Sequence, residues 1–380
     1  MKVLVLGAGQ LAQMMYLAAA PIGIEVLAVD VSDNSVVNPI TKQTHEFDLA
    51  FAIEEANAIT VEFEHIPEAL LAIVEKSGKL SPNVQSIMAG ADRVREKQLL
   101  ETLCVANCQH VIIDNVEQLT DIHKKLGDKI IFKASRDGYD GYGQWRMKSA
   151  SDIENLRSIF SGLDLQKIPL IAETMANFDR EISVVGVRDL HGNIRCFQIA
   201  ENLHHEGQLH VSVAPATGLS EQLIAQANEI FTTIANSLEY VGVLAIELFQ
   251  MGDQLLVNEI APRVHNSGHW TQKGADTCQF EQHIRAVLGF PLGSTKTTGV
   301  TAMVNIIGCT SFSRDLIAIE GCHLHWYGKT LRKKRKMGHI NVVADNYLAL
   351  GNKLTDLLEH LPSKFFPLLP DEAKRLKTVK

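Results

Sequence analysis

The chain has 380 residues, of which 46% are hydrophobic and 21% are charged, and its formal net charge is −8 at pH 7. This profile is typical of a soluble globular protein with two or three domains, and six cysteines without a Cys-x-x-Cys pair predict free thiols in a reducing, cytoplasmic compartment. The acidic balance argues against a general nucleic-acid binder, and the lack of both a signal-peptide pattern and an apolar run of about 18 residues predicts no membrane association.

Residues 1–90 predict an α/β unit in which strands alternate with helices around a parallel sheet. The expected strands cover 2–6, 25–29 and 58–63, and the expected helices cover 10–20 and 67–76. The Gly-rich turn at 7–12, with Asp30 ending the next strand, matches a dinucleotide-binding fingerprint. From this motif alone, NAD or FAD binding and a plain tight turn both remain open.

The following residues, up to about 170, predict a smaller α+β unit. It combines helices at 92–103 and 151–160 with strands at 129–134 and 169–173. Lys133 lies on the first of these strands and precedes a Gly-rich loop at 136–144, whose backbone N–H groups suit phosphate oxygens. An ordinary hairpin turn is the alternative. The loop is not a Walker A motif, because Gly-Lys-Ser/Thr is missing.

From residue 180 onward strands dominate, at 180–187, 194–200 and 209–213, and a helix is expected at 222–238. Residues 243–260 then predict a β-hairpin. Folding it about residue 253 places Glu247 directly opposite Glu259 on one face, where like charges about 5 Å apart destabilise the pair. Two opposed carboxylates in apolar strands predict a cation between them, and Mg²⁺ suits oxygen ligands together with nucleotide phosphates.

A polar loop follows the hairpin and contains Arg263, His265, Asn266, Ser267 and His269. The two histidines have the spacing of a helical zinc pair, but the intervening Asn-Ser-Gly is turn chemistry and argues against a helix. We therefore predict a substrate-binding loop, with a solvated loop as the alternative. A helix at 278–288 and a strand at 300–307 are expected before a mixed α and β tail.

A basic run near the end of the chain contains Lys329, Arg332, Lys333, Lys334, Arg335 and Lys336. Such a run is typical of a nucleic-acid patch or a solvated face, and it also suits a clamp for a phosphate ester. Gly338-His339 beyond it predicts a turn that returns the chain to the body.

Eight segments together resemble those of one known family. They are Gly-Ala-Gly-Gln-Leu (7–11), Val-Glu-Phe-Glu-His-Ile-Pro (61–67), Ala-Asp-Arg (91–93), Gly-Tyr-Asp-Gly-Tyr-Gly-Gln-Trp (138–145), Glu-Asn-Leu-His (201–204), Asn-Glu-Ile-Ala-Pro-Arg-Val-His-Asn-Ser-Gly-His-Trp-Thr (258–271), His-Trp-Tyr-Gly-Lys (325–329) and Arg-Lys-Met-Gly-His (335–339). Over nearly its whole length the chain is similar to the ATP-grasp ligases, specifically the N5-carboxyaminoimidazole ribonucleotide synthases. The resemblance implies an α/β and α+β, ATP-grasp fold. Its parts would be a Rossmann-like pre-ATP-grasp domain at 1–90, a lid subdomain at 91–172, a large subdomain at 173–310 and a small mixed C-terminal unit at 311–380.

The resemblance also implies the reaction. A homodimer would use ATP to carboxylate 5-aminoimidazole ribonucleotide with bicarbonate, through carboxyphosphate, in purine biosynthesis. ATP would be held by Arg93, Lys133, Gly138, Tyr139, Asp140, Gly141, Tyr142, Gly143, Gln144, Glu173, Thr174, Met175, Ala176, Glu181, His204, Asn258 and Glu259. Mg²⁺ would lie on Glu247 and Glu259, and the catalytic groups around bicarbonate and the ribonucleotide would be Asp140, Arg263 and Lys336. The wider substrate pocket would add His265, Asn266, Ser267, His269, Arg332 and Arg335.

Three alternatives are compatible with parts of this pattern. A formate-using glycinamide ribonucleotide transformylase shares the architecture and differs in its substrates. An NAD-dependent dehydrogenase would be built on residues 7–30. A non-enzymatic nucleotide sensor is disfavoured, because it would leave the metal carboxylates and the anion pocket without a purpose.

Overall fold

The computed structural model describes residues 1–136 and 143–379. Its β-strands form a four-stranded sheet near the N-terminus, a second four-stranded sheet, and a nine-stranded sheet. Among the helices of the described residues, none has the length and apolar character needed to cross a bilayer.

The N-terminal sheet is parallel except at one edge, which confirms the predicted alternation of strands and helices. Leu4 pairs with both Leu27 and Ile59 across parallel ladders, and residues 3–6 are fully buried because helices cover both faces. The strand order is β3-β2-β1-β4, with β3 antiparallel to β2. The elements are β1 (Lys2–Leu6), α1 (Gln10–Ala19), β2 (Glu25–Asp30), β3 (Ser35–Val37), α2 (Leu49–Glu55), β4 (Ala58–Val61), α3 (Glu68–Glu75) and α4 (Val84–Ala91).

The second sheet is antiparallel and encloses a small aromatic core. The rings of Phe132 and Trp145 each lie 5.2 Å from that of Phe160. The elements are α5 (Arg93–Thr102), β5 (His110–Ile113), α6 (Ile122–Leu126), β6 (Ile130–Ala134), β7 (Gln144–Met147), α7 (Ile153–Phe160) and β8 (Leu170–Thr174). Their order in the sheet, β5-β8-β6-β7, places Lys133 on β6 opposite Ile171, near the start of β8.

The nine-stranded sheet joins the middle of the chain to its C-terminal part. Its order is β14-β13-β9-β11-β12-β15-β17-β16, and β10 pairs with β9. Helix α8 packs closely on it, since a Cβ atom at Gly186 would lie 2.6 Å from the Phe231 ring. The elements are β9 (Arg180–Arg188), β10 (Ile194–Cys196), β11 (Ala200–His205), β12 (Gln208–Ala214), α8 (Glu221–Ser237), β13 (Gly242–Met251), β14 (Gln254–Ala261), α9 (Thr271–Gly274), α10 (Gln279–Val287), β15 (Val300–Ile307), β16 (Cys322–Trp326), β17 (Lys336–Ala344), α11 (Tyr347–Leu358) and α12 (Leu369–Leu376).

Two predictions for this part of the chain were wrong in detail. Gly338-His339 does not turn the chain but lies inside β17, where a Cβ atom at Gly338 would meet the His325 carbonyl oxygen at 2.5 Å. The strand expected at 194–200 is interrupted, because β10 ends at Cys196 and β11 starts at Ala200. Short 3₁₀ turns complete the fold at Ala20–Ile22, Val116–Asp121, Ala150–Asp152, Asn266–Gly268, Arg314–Ala318 and Ser363–Phe365.

Candidate active site

A cavity of about 600 Å³ lies where the three sheets approach one another. Strand ends from all three supply its wall, and most of the residues that the sequence singled out lie there. These are Arg93, Lys133, Gln144, Glu173, Thr174, Met175, Ala176, Glu181, His204, Glu247, Asn258, Glu259, Arg263, His265, Asn266, His269 and Lys336. The structure therefore brings together side chains that are up to 243 positions apart in the chain, from Arg93 to Lys336.

The β13–β14 hairpin places Glu247 directly opposite Glu259, which confirms the predicted opposition. The turn of the hairpin differs from the predicted one. Met251 pairs with Gln254, so Gly252 and the next residue form the turn, and the pairing beside it is shifted by one position from the predicted register. A β-bulge at residue 258 restores the alignment: Leu248 pairs with Val257, and the next pair is Glu247 with Glu259. The two carboxylates therefore share one face of the sheet in the cavity wall.

The two opposed glutamates have different electrostatic surroundings. Burial raises the pKa of Glu247, and the charges of Glu259 and Glu181 raise it further, against the effect of His204. Burial alone would also raise the pKa of Glu259, but the Arg93 guanidinium, 3.1 Å away, holds it below its usual value. Glu259 is thus the ionised partner, and Glu247 carries the unfavourable charge.

Glu247 also belongs to a group that could hold a metal ion. One ligand atom each from Glu181, His204 and Glu247 lies within 4.8 Å of the others. The His204 Nδ1 atom lies 3.1 Å from Glu181, and although burial lowers the pKa of His204, this contact and the nearby carboxylates raise it overall. A cation beside Glu247 would relieve the like-charge repulsion, and carboxylate oxygens suit Mg²⁺ better than imidazole does. The carboxylates of Glu181 and Glu247 therefore fit Mg²⁺, whereas Glu259, the predicted second ligand, lies opposite Glu247 on the hairpin but does not belong to this group.

On the opposite wall, two buried lysines share the Glu173 carboxylate. Lys133 Nζ lies 2.6 Å from one oxygen, and Lys97 Nζ lies 2.6 Å from the other. Burial opposes ionisation of Glu173, but the two ammonium groups outweigh it and lower its pKa to about 2. Lys133 also donates to the Asn258 side chain at 3.3 Å, so the bulged residue of the hairpin contacts this wall.

The far end of the cavity carries Arg263 and a set of uncharged imidazoles. The Glu64 carboxylate accepts hydrogen bonds from Arg263 Nε at 2.6 Å and Nη2 at 3.0 Å, which fixes the plane of the guanidinium. Burial and the Arg263 charge hold the pKa of His265 well below its usual value, and burial does the same for His269. Both histidines are therefore neutral near pH 7, and the positive charge at this end comes from arginine and lysine.

The Gly-rich turn at residues 7–12 is occupied by a side chain of the protein itself. The Glu62 carboxylate accepts the backbone N–H groups of Gly9 and Leu11, the latter at 3.0 Å. A Cβ atom at Gly9 would lie 2.2 Å from Glu62 Oε1, so glycine is needed for this close approach. Of the two interpretations of the motif, the tight turn is the one that the structure contains.

Some predicted site residues lie elsewhere. Gly138, Tyr139, Asp140, Gly141 and Tyr142 lie outside the described residues. Among the described ones, Gly143, Ser267, Arg332 and Arg335 do not line the cavity. Ser267 is buried and its hydroxyl lies 2.9 Å from His265 Nδ1, and Arg335 donates to the Thr330 carbonyl at 3.0 Å. Arg332 is exposed, so its predicted role stays a prediction.

The sequence did not indicate several cavity residues. Glu62 and Glu64 follow β4 at alternate positions, at the carboxyl edge of a parallel sheet, and that placement was the available signal. Phe178 and Phe249 also line the cavity, with stacked rings 4.4 Å apart. Their contact joins a loop to a strand 71 positions later, and local patterns do not report such pairings.

Family models match three consecutive parts of the chain. The ribonucleotide synthetase preATP-grasp domain matches residues 1–90, the ATP-grasp domain matches 98–280, and the phosphoribosylaminoimidazole carboxylase C-terminal domain matches 301–353.

Individual relatives match the chain from end to end. The N5-carboxyaminoimidazole ribonucleotide synthase of Vibrio cholerae is 48% identical over 99% of this chain and 100% of its own. The crystal structure of the corresponding Thermus thermophilus synthetase superposes with a TM-score of 0.83 at 35% identity, covering 97% of this chain and 99% of that one. The Aspergillus clavatus N5-carboxyaminoimidazole synthase, solved with ADP and 5-aminoimidazole ribonucleotide, gives a TM-score of 0.80 at 25% identity over 98% of each chain.

Proposed function

The chain belongs to the N5-carboxyaminoimidazole ribonucleotide synthase family, and on that premise we propose that it carboxylates 5-aminoimidazole ribonucleotide with bicarbonate at the expense of ATP. It is an ATP-grasp ligase of purine biosynthesis. The observation that supports the assignment is one cavity that joins opposed carboxylates, the buried Lys133 and a cationic far end.

ATP is proposed to lie between the second sheet and the nine-stranded sheet. Residues 173–176 form the wall beside the stacked Phe178 and Phe249, and an adenine ring would bind there against backbone groups and aromatic faces. Glu181 is placed for the ribose hydroxyls. Lys133 and Arg93 would bind the phosphates, because Arg93 contacts Glu259, Lys133 contacts the adjacent Asn258, and both bring positive charge close to Glu259.

Mg²⁺ is proposed to bind at Glu247 and Glu259. When bound, it supplies charge neutralisation at the transferring phosphoryl group. The contribution of the chain is to hold the two carboxylates opposite each other and to keep Glu259 ionised through Arg93. Lys133 would add a fixed positive charge at the same phosphate oxygens.

In the proposed reaction, a bicarbonate oxygen attacks the γ-phosphorus, ADP leaves, and carboxyphosphate forms. Arg263, held by Glu64, and Lys336 would orient the bicarbonate anion. The exocyclic amine of the ribonucleotide then bonds to the carboxyl carbon, or to CO₂ released from it, as phosphate departs and the amine loses a proton. Asp140 is proposed as the group that takes this proton.

Two further proposals follow from membership of the family. We propose a homodimer and a cytoplasmic location. The assignment of the ribonucleotide to the far end rests on the charge of Arg263 and Lys336 and on the polar side chains of His265, Asn266 and His269.

The substrate assignment is tested by ADP release. We expect turnover that requires both bicarbonate and 5-aminoimidazole ribonucleotide. Glycinamide ribonucleotide with formate is the matched alternative pair, and ADP release with that pair alone would identify a transformylase instead.

The electrostatics of Glu247 predict proton release on nucleotide binding. Its raised pKa leaves this carboxyl partly protonated near neutral pH, and a cation bound beside it favours the ionised form. We therefore expect MgADP binding at pH 7 to release protons to the buffer. The measurement is calorimetric titration in phosphate and in Tris, whose ionisation enthalpies differ. Equal heats in the two buffers would contradict the placement of the metal.

A further inference from the structure

Helix α5 buries charged side chains on one face. Arg93, Glu96 and Lys97 follow the i, i+3, i+4 spacing that places them on the same side of the helix. Each contacts a wall of the cavity: Arg93 meets Glu259, Glu96 accepts the Ile260 N–H at 2.8 Å, and Lys97 meets Glu173. Burying an ammonium group costs free energy even when it is paired, so apolar packing does not explain a lysine that is only 1% exposed.

The contacts of Lys97 give it a defined relation to the phosphate-binding lysine. Glu173 has two oxygens, and Lys97 occupies one while Lys133 occupies the other, both at 2.6 Å. Lys97 also lies 3.5 Å from the Asn107 side chain, which keeps it at the edge of the strand that holds Glu173. We call Lys97, Glu173 and Lys133 the lysine–glutamate triad. Its net charge is +1, since two ammonium groups face one carboxylate.

We propose that Lys97 is a positioning residue for the nucleotide phosphates, because it occupies Glu173 and so leaves the charge of Lys133 available to a phosphate. The proposal rests on the function proposed above, in which Lys133 binds those phosphates. Without Lys97, Glu173 and Lys133 would form a neutral pair. Moving Lys133 toward a phosphate would then leave a buried carboxylate without a partner, which is costly. With Lys97 present, Glu173 keeps a cation when Lys133 turns to the nucleotide.

The triad makes a prediction that depends on net charge. The net charge of the triad is +1 in the wild type, 0 in Lys97→Met and +2 in Glu173→Gln. The double variant Lys97→Met/Glu173→Gln returns the charge to +1. We expect Lys97→Met to weaken ADP binding about 10-fold, and the double variant to recover most of that loss. Adenosine, which lacks phosphates, should bind Lys97→Met within about twofold of wild type, and the double variant within about twofold of Glu173→Gln.

The experiment is calorimetric titration of the full-length proteins with ADP and with adenosine. The matched control is Lys124→Met, which removes an exposed lysine, paired with Asp121, from the same part of the chain. It should bind ADP as wild type does. If Lys97→Met does not fold, Glu173→Gln is compared with the double variant, which differs from it only at Lys97. Without the Glu173 carboxylate Lys133 is already available to the phosphates, so these two proteins should bind ADP within about threefold of each other.

Three outcomes would overturn the proposal. The first is unchanged ADP affinity in Lys97→Met. The second is an equal loss for adenosine, which would indicate a purely structural role. The third is a double variant that binds ADP no better than Lys97→Met or, where Lys97→Met does not fold, a double variant that binds ADP about 10-fold more weakly than Glu173→Gln. A wild-type protein that binds neither ligand would instead contradict the proposed function, so the two failures are distinguishable.

Discussion

Replacing Glu259 with glutamine is expected to lower kcat/KM for ATP at least about 100-fold, equivalent to about 2.7 kcal/mol of transition-state stabilisation. The substitution keeps the size of the side chain but removes the charge that Mg²⁺ and the transferring phosphoryl group require. It also weakens the pair with Arg93, whose guanidinium lies 3.1 Å from Glu259. The measurement is MgATP-dependent ADP release with all substrates present.

The same variant should also lose stability. The predicted repulsion between two opposed like charges would by itself make the removal of one of them stabilising, but in the structure Arg93 already compensates Glu259. Because the Glu259 side chain is 34% exposed, water screens the pair, and we expect a loss of about 1 kcal/mol in the free energy of unfolding. The pKa of Glu259 is lowered in the folded state. The loss of stability should therefore be present at pH 8 and should shrink as the pH falls below the pKa that this carboxyl has in the unfolded chain.

A matched control for both effects is Glu229→Gln, at an exposed glutamate on α8. It should change neither turnover nor stability, because surface substitutions away from special contacts have small effects. Wild-type turnover in Glu259→Gln would refute the metal assignment.

Glu247→Gln is expected to separate activity from stability. Activity should again fall at least about 100-fold, because the second carboxylate of the proposed metal site is lost. Stability should rise by about 1 kcal/mol at pH 8, since the folded protein no longer carries an unfavourable buried charge. Chemical denaturation of the metal-free protein measures this difference.

The gain in stability expected for Glu247→Gln depends on pH. Glu247 has a raised pKa in the folded state, so the folded protein binds its proton more tightly than the unfolded chain does. Its ionisation therefore costs stability as the pH rises from about 4.5, near the unfolded value, through the folded pKa. The gain in Glu247→Gln should vanish at pH 4 and be complete at pH 8. A loss of stability at pH 8 would show that Glu247 is compensated by a contact other than those described.

The opposition of the two glutamates could be predicted because hairpin length and turn position constrain register. The bulge at Asn258 could not, since the sequence allows the turn to be placed one residue either way, and only tertiary contacts such as that from Lys133 select one. The prediction succeeded with the wrong turn because the bulge compensated for a one-residue offset.

Other features depend on contacts between distant parts of the chain. The partner of Arg93 lies 166 positions later, and the partner of Arg263 lies 199 positions earlier. No local sequence pattern indicates either pairing. The Gly-rich turn at residues 7–12 fits a dinucleotide fingerprint locally, yet Glu62, some 50 positions away, fills it. Gly338 was interpreted as a turn residue, whereas it is a strand position at which the neighbouring backbone leaves no room for a side chain.

The burial of the charged face of α5 could not be predicted from the sequence either. A helix with Arg93, Glu96 and Lys97 on one side is ordinarily assigned to the surface, because charged residues are rarely fully buried. Here that side is buried, and its charges are paired with carboxylates and a backbone N–H in the cavity wall. The helix is thus part of the site, although of these three residues only Arg93 was predicted to belong to it.

The proposed attack of bicarbonate itself on ATP in this cavity is the step that defines the reaction. It is tested most directly by a single turnover with ¹⁸O-labelled bicarbonate, MgATP and 5-aminoimidazole ribonucleotide. Attack by a bicarbonate oxygen on the γ-phosphorus predicts one ¹⁸O atom in the inorganic phosphate that is released. Phosphate without label, formed together with ADP, would show that water is the nucleophile and would contradict the carboxylation mechanism.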